Sequence, residues 1–282
     1  MPRNRNAHGK CNFRLKPASL QKMQIQYYDI LPVLKPYIRS ICTMDCGGDA
    51  DTSHIRVLPD TCAEIFINYT PAPVAIIGNE LYKGSIVSFR TNKPVDVQMR
   101  KGAGCIAICF HPGMAYRFFK IPFHLLSNTT TSLTDLWSTS AAALEDLVVH
   151  AGNNKSRVAL LQQYLLQQLG KVDDNPQIKY CLQQVQLSKG LISLITLTKN
   201  IGISQRHLAR QFQQFVGLSP REYLRVSRFI YSLEHLSNHA ADSLTQVAYR
   251  SGYYDQAHFI RDYKQYTGFT PGEVLRNNNI QY

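Results

Sequence analysis

Ser204-Gln205-Arg206-His207-Leu208-Ala209-Arg210-Gln211-Phe212-Gln213-Gln214-Phe215-Val216-Gly217-Leu218-Ser219-Pro220 returns, fifty-one positions later, as Asp255-Gln256-Ala257-His258-Phe259-Ile260-Arg261-Asp262-Tyr263-Lys264-Gln265-Tyr266-Thr267-Gly268-Phe269-Thr270-Pro271. Each copy opens on a residue type that caps helix N-termini, Ser204 or Asp255. Bulky apolar groups then stand at i, i+4 and i+7, and a glycine followed by proline closes the copy. The pattern predicts one short amphipathic helix per copy. A second short helix is expected before each. Leu194 and Leu197 run through Ile201-Gly202-Ile203 into the first copy, and Leu244, Val247 and Ala248 run through Ser251-Gly252-Tyr253-Tyr254 into the second.

Helix, tight glycine-containing turn and second helix is the helix-turn-helix layout, whose second helix enters the DNA major groove. Between the two copies, Pro220 stands at a helix start, and no further Pro or Gly occurs up to Asn238. A helix over 221–236 would be about 24 Å long at ~1.5 Å per residue. Such a strut can hold two helices near the ~34 Å spacing of successive major grooves.

At these residues the chain resembles the AraC/XylS family of bacterial transcription regulators. Both copies, the connecting helix and the closing Gly268-Phe269-Thr270-Pro271-Gly272-Glu273-Val274-Leu275-Arg276 stand in family order over 175–277. Tyr253 and Tyr263 occupy places where the family usually has phenylalanine. Thr196 and Thr198 stand near a position that usually carries alanine. The resemblance implies a sequence-specific DNA-binding regulator that binds operator or promoter duplex. RNA polymerase is a further partner if it is an activator, and an unknown effector acts through the N-terminal domain. It also implies a cupin-like barrel in the N-terminal domain, and Leu58-Pro59-Asp60-Thr61-Cys62-Ala63-Glu64 and Phe110-His111-Pro112-Gly113 look like a recurring sensor subtype.

Arginine can bond guanine O6 and N7 in a fork, and glutamine can do the same for adenine N6 and N7. On the first repeated helix the exposed face is expected to carry Gln205, Arg206, Ala209, Arg210 and Gln213. Matching the family motif places base readers at Arg206, Ala209 and Arg210. The second helix is expected to present Gln256, Ala257, His258 and Arg261, with Lys264 placed for phosphate. Arg210 and Arg261 occupy equivalent places in the repeat, so phosphate clamping or pairing with a neighbouring acid is an alternative for both. His207 and His258 read as packing or backbone-bonded residues.

The 282 residues carry a net charge of +12, with a pI near 9.4, which points to an anionic partner without identifying one. The leader 1–22 holds Arg3, Arg5, Lys10, Arg14, Lys16 and Lys22 and no acid. It reads as a disordered segment, a start placed too early, or an arm that adds phosphate contacts. Over 23–130, short β-branched and aromatic runs bounded by Pro, Gly, Asn or Asp predict an antiparallel barrel or sandwich. Helices follow over 131–175. One of them, near 155–169, carries Val158, Leu161, Leu165 and Leu169 at almost heptad spacing, a stripe that either packs on the barrel or pairs with a second subunit in a homodimer. Gly170-Lys171-Val172-Asp173-Asp174-Asn175-Pro176 is the expected boundary before a DNA-binding domain at 176–282. The fold class is thus α+β, an N-terminal barrel with a helical connector and an all-α C-terminal domain.

Seven cysteines without a secretory signal read as reduced thiols in a cytoplasm, and no apolar run approaches the ~20 residues of a membrane span. Enzyme readings have little support. His54, His111 and His124 are far apart, with no closely spaced pair to begin a metal site. Cys42 with Cys46 and Cys105 with Cys109 have a spacing open either to sensing or to ordinary burial. No catalytic, metal or cofactor residue is assigned.

Overall fold

The computed structural model describes residues 23–47, 54–89, 92–169, 174–238, 242–276 and 280–281; the basic leader 1–22 and most of the 170–176 linker lie outside them. In chain order the strands are β1 (Met23–Tyr28), β2 (Ile38–Cys46), β3 (His54–Val57), β4 (Ala63–Asn68), β5 (Ala75–Ile77), β6 (Glu80–Tyr82), β7 (Ile86–Phe89), β8 (Val95–Met99), β9 (Gly104–Phe110), β10 (Thr130–Ser132) and β11 (Ile280–Gln281). The helices are α1 (Leu133–Trp137), α2 (Thr139–His150), α3 (Asn154–Leu169), α4 (Pro176–Leu187), α5 (Leu194–Ile201), α6 (Gln205–Phe215), α7 (Pro220–Asn238), α8 (Leu244–Arg250), α9 (Gln256–Thr267) and α10 (Pro271–Arg276).

The N-terminal strands form two sheets, ordered β1-β2-β9-β4-β7-β10 and β11-β3-β8-β5-β6. Among the described residues no ladder joins one sheet to the other, so the closed barrel expected from the run of short strands is not drawn by hydrogen bonds. The pairings are antiparallel except for β11 on β3, which is parallel. Alternation along β2, β4 and β9 gives the larger sheet two apolar faces. Ile65, Ile67, Ile106 and Ile108 face the helices, while Cys42, Met44, Cys46, Cys105 and Ala107 pack with Val74, Ala75 and Met99 in a second cluster. Both faces are therefore covered, and a strand such as β9 is buried along its whole length.

The helix-side core does not stop at the sheet. Val158, Leu161 and Leu165 of α3 are buried in it, so the near-heptad stripe packs inward. The same core takes in Ile178, Cys181, Leu182 and Val185 of α4, and Leu197, Leu208, Phe212 and Leu224 beyond. Contacts at close quarters fix this junction. Tyr116 stacks edge-on against Phe215 with ring centroids 5.1 Å apart, and Ser127 Oγ donates to the Gly217 carbonyl at 2.6 Å. Gly217 has φ +84, and a Cβ there would lie 2.9 Å from the Phe123 carbonyl oxygen, so this approach requires glycine. Between the strands, Ala115–Phe118 form a single 3-10 turn. No helix among the described residues is long and apolar enough to cross a membrane.

Candidate nucleic-acid interface

The two copies of the repeat and the helices before them give four short helices, α5, α6, α8 and α9, and each begins with a side-chain cap. Ser193 Oγ accepts from the Thr196 N–H at 3.0 Å and Ser204 Oγ from the His207 N–H at 3.2 Å. In the second copy Asp255 Oδ1 accepts from the His258 N–H at 2.6 Å. Ser243 and Gln246 cap reciprocally, side chain to backbone, at 3.2 and 2.9 Å. These bonds satisfy donors that the first turn of a helix leaves open, and so fix where each helix starts. Gly202 ends α5 with φ +68, the left-handed conformation that turns the chain into α6.

Burial then decides which faces remain outside. On α6, Leu208 and Phe212 are buried, and Phe212 meets Tyr223 of α7 at 5.6 Å between ring centroids. On α9, Phe259, Tyr263 and Tyr266 are buried against Phe229, Leu233 and Leu236 of α7. The long helix α7, about 28 Å at ~1.5 Å per residue over its 19 residues, thus supplies one end to each helix pair.

The outward faces carry the predicted side chains with some differences. Gln205, Arg206 and Arg210 are exposed on α6, and Ala209 and Gln213 are half-buried. Arg210 Nη2 donates to His207 Nδ1 at 3.2 Å, which turns the guanidinium along the helix. Ala257, Arg261 and Lys264 are exposed on α9. Gln256 and His258 are half-buried rather than open. Gln256 Oε1 accepts from Thr245 Oγ1 at 3.0 Å, and the His258 ring lies edge-on to Tyr253 with its Nε2 3.7 Å from Asp262. Among the described residues Arg206, Arg210, Arg261 and Lys264 form no ion pair with a carboxylate.

Two features escape the repeat pattern. Tyr254 is 88% exposed immediately before the Asp255 cap, and nothing in its spacing distinguishes it from the buried Tyr253 beside it. Asp262 is fully buried on α9, where Arg225 Nη2 donates to it at 2.6 Å and Nε at 2.9 Å. The same guanidinium donates to Gln265 Oε1 at 2.8 Å. A clue was present: Asp262 follows Phe259 by three positions and precedes Tyr266 by four, which puts an acid on the core stripe and calls for a cation nearby. Burial pushes the neighbouring Tyr253 phenol far above its ordinary range, and the Asp262 charge adds to the effect.

The helix-turn-helix domain family model matches residues 197–277, the region these caps and faces define. The chain carries an AraC-type helix-turn-helix domain. A second family model, described as a domain of unknown function (DUF6597), matches residues 31–132. The HTH-type transcriptional activator RhaS of Enterobacter sp. (strain 638) is 35% identical over 88 residues, 31% of this chain and 31% of its own. The chain therefore spans about a third of the length of the curated relatives it matches. Among solved structures, ToxT from Vibrio cholerae aligns over 91% of this chain and 98% of its own at TM-score 0.45 and 13% identity. The C-terminal domain of AraT, a response regulator from Geobacillus stearothermophilus, covers 36% of this chain and 85% of its own at TM-score 0.34 and 24% identity.

Among the described residues, no group of three or more His, Cys, Asp and Glu side chains is arranged to hold a metal ion. The cysteines at 42, 46, 62, 105, 109 and 181 are all buried, and burial raises the Cys46 and Cys181 thiols to about 11. A raised thiol pKa keeps the sulfur protonated and unreactive at neutral pH.

Proposed function

We propose that the chain is a sequence-specific DNA-binding transcription regulator that reads two neighbouring major grooves with two helix-turn-helix units, α5–α6 and α8–α9. The observation that carries this reading is the pair of capped helices on one strut, each burying its aromatic stripe and presenting Arg206 with Arg210, or Arg261 with Lys264, on an exposed face. Such groups suit the two tasks of a DNA interface, phosphate anchoring and base reading. Gln205, Arg206, Ala209 and Arg210 face the first groove in this reading, and Ala257, Arg261 and Lys264 the second. Gln256 and His258 act at its edge, since each already holds a partner inside the protein.

In the same reading, 23–130 is the sensor domain, an open relative of the cupin barrel, 131–175 the connector and 176–282 the DNA-binding domain. A small-molecule effector has room in a cavity of about 360 Å³ between the sheets and α4 and α7, walled by Arg39, Asp60, Lys189, Ser227 and Tyr231. RNA polymerase, for an activator, and a second subunit, for a homodimer, are the further partners this reading allows. With the α3 stripe turned inward, a dimer through that helix would use its other face, around Ala159, Leu160, Gln163 and Gln167. The protein acts in the cytoplasm and catalyses nothing in this scheme.

The test is selection of duplexes bound by the full chain from a random pool, followed by footprinting of the selected sequence. Two protected major-groove segments about one helical turn apart are expected. A preference no stronger than that of a generic basic protein, without a footprint, overturns the proposal.

A further inference from the structure

Leu58 lies outside the helical region, yet it is 2% exposed in the core of the second helix pair. Every other buried member of that cluster falls between Val226 and Val274. The two residues before it engage the same body. The Arg56 guanidinium carbon stands 5.3 Å from the Phe269 ring centroid, held there by Asp96, to which Nε and Nη2 each donate at 2.7 Å. A Cβ at Gly268 would come within 3.1 Å of Arg56 Nη1, so the corner between α9 and α10 lies against the Arg56 guanidinium. The backbone of 56 and 57 pairs with β11, which follows α10. Three consecutive residues thus hold one helix pair by a cation on a ring, a ladder and an apolar plug.

We propose that β3 with Leu58 is a clasp that sets where the second helix pair stands relative to the first, making Leu58 and Arg56 positioning residues for two-groove reading. The first pair needs no such device, because α4, α5 and α6 already share a core with the larger sheet. The second pair has its own core around the C-terminal half of α7, and Leu58 is the one buried member of that core, among the described residues, that comes from the strands' half of the chain. The clasp grips the far end of α9, at Gly268 and Phe269, and leaves Ala257, Arg261 and Lys264 exposed. It therefore orients the reading face without covering it. From Leu58 the chain passes directly into Pro59-Asp60-Thr61-Cys62, one wall of the interdomain cavity. The sensor motif at 58–64 joins the cavity to the second pair.

This inference rests on the DNA-reading proposal, and its test separates the two. Full-length wild type, L58A and R56A are titrated with a duplex carrying both groove sites and with one cut back to the first site. Amide exchange is followed in β3 and α9. Losing most of a buried Leu side chain loosens docking about ten-fold or more, and losing an exposed cation–π contact about two- to five-fold. Affinity for the two-site duplex is expected to fall at least about three-fold in L58A and less in R56A, since a binding-competent arrangement populated less often lowers apparent affinity in proportion. Affinity for the one-site duplex stays at the wild-type value, and β3 amides exchange faster while α9 stays protected. Equal losses on both duplexes, no loss on either, or loss of α9 protection in L58A overturns the clasp. R56A decides the matter if L58A does not fold, because Arg56 lies outside the apolar core. If wild type binds neither duplex, DNA reading fails by itself, and exchange in β3 against α9 still decides whether the clasp exists.

Discussion

Breaking the Arg225–Asp262 pair from its two ends should have unequal consequences. Asp262 is fully buried, while the Arg225 side chain is 39% exposed. Replacing Arg225 with methionine leaves a carboxylate inside the protein, with the His258 ring at 3.7 Å and the Tyr253 phenol as its remaining neighbours. Removing one partner of a buried ion pair costs about 3–5 kcal/mol when the other stays buried and unpaired. Replacing Asp262 with asparagine instead leaves the guanidinium, which can turn to water and keeps Gln265 as an acceptor. The cost is then that of hydrogen bonds to a charged group, about 1.5–3 kcal/mol, discounted because one end is open to solvent.

R225M should therefore be less stable than D262N by about 1–2 kcal/mol, the separation between those two ranges. The double variant R225M/D262L, which fills the space with apolar groups and strands no charge, should recover most of the loss. Urea unfolding at constant pH, followed by far-ultraviolet circular dichroism, gives all four stabilities, with the slope confirming that the unfolded states are comparable. If D262N proves as costly as R225M, or if the double variant is no more stable than R225M, the pair is not a desolvated couple and the reasoning fails. The pair also ties α9 to α7 beside Arg261, so a stable R225M/D262L with weakened DNA binding would locate its role in orientation.

Arg206→Ala should weaken binding to a selected site by about 1–3 kcal/mol and relax preference at one or two base pairs, whereas Lys264→Ala should weaken all sequences alike and lower the salt slope by about one; fluorescence anisotropy across a salt series separates them. Gly217→Ala should destabilise by more than about 1 kcal/mol, since it adds a Cβ to a positive-φ residue already crowded by Phe123 and Ser127; denaturant midpoints measure it. Burial, partly offset by the Lys35 carbonyl, lowers the His111 pKa from its ordinary 6.5. The unfolded chain then takes up the proton first, so stability present above pH 6.5 is lost as pH falls through the folded value, and His111→Gln should flatten that slope in unfolding measured from pH 7.5 to 5. The buried thiols at Cys46 and Cys181 should resist iodoacetamide at pH 8 in the native protein and react on unfolding, as mass spectrometry would show.

The helical half was legible because its signals are local. A cap, a stripe at i, i+4 and i+7 and a closing glycine all fall within seventeen residues, and the repeat prints them twice. Burial of Leu208, Phe212, Phe259, Tyr263 and Tyr266 follows from that spacing. The strands were legible as segments but not as partners. Alternation tells which residues of β4 and β9 share a face, but nothing in 104–110 specifies that Cys109 stands opposite Glu64, or that the strands divide into two sheets. Gln256 and His258 were assigned to the open face by helical period alone. Thr245 and Asp262, which draw them inward, lie on another helix and on the core stripe.

The junction shows why the division into domains is harder to read than the helices on either side. Polar, turn-forming residues at 170–176 mark a connection in the sequence, yet one core holds Ile108, Leu161, Leu182 and Phe212 together. A linker reports where the chain is accessible to solvent, while a core reports which surfaces were apolar enough to exclude it, and the two need not coincide. Leu182 against Gly113 and Phe215 against Tyr116 join segments 69 and 99 residues apart, so no periodic window contains both partners. Such an apolar seam gives the first helix pair the motions of the sheets it is packed on. In the proposed DNA-reading scheme, a shift of the larger sheet carries α6 with it while β3 of the other sheet holds the second pair, so the spacing between α6 and α9 is the quantity an effector would change.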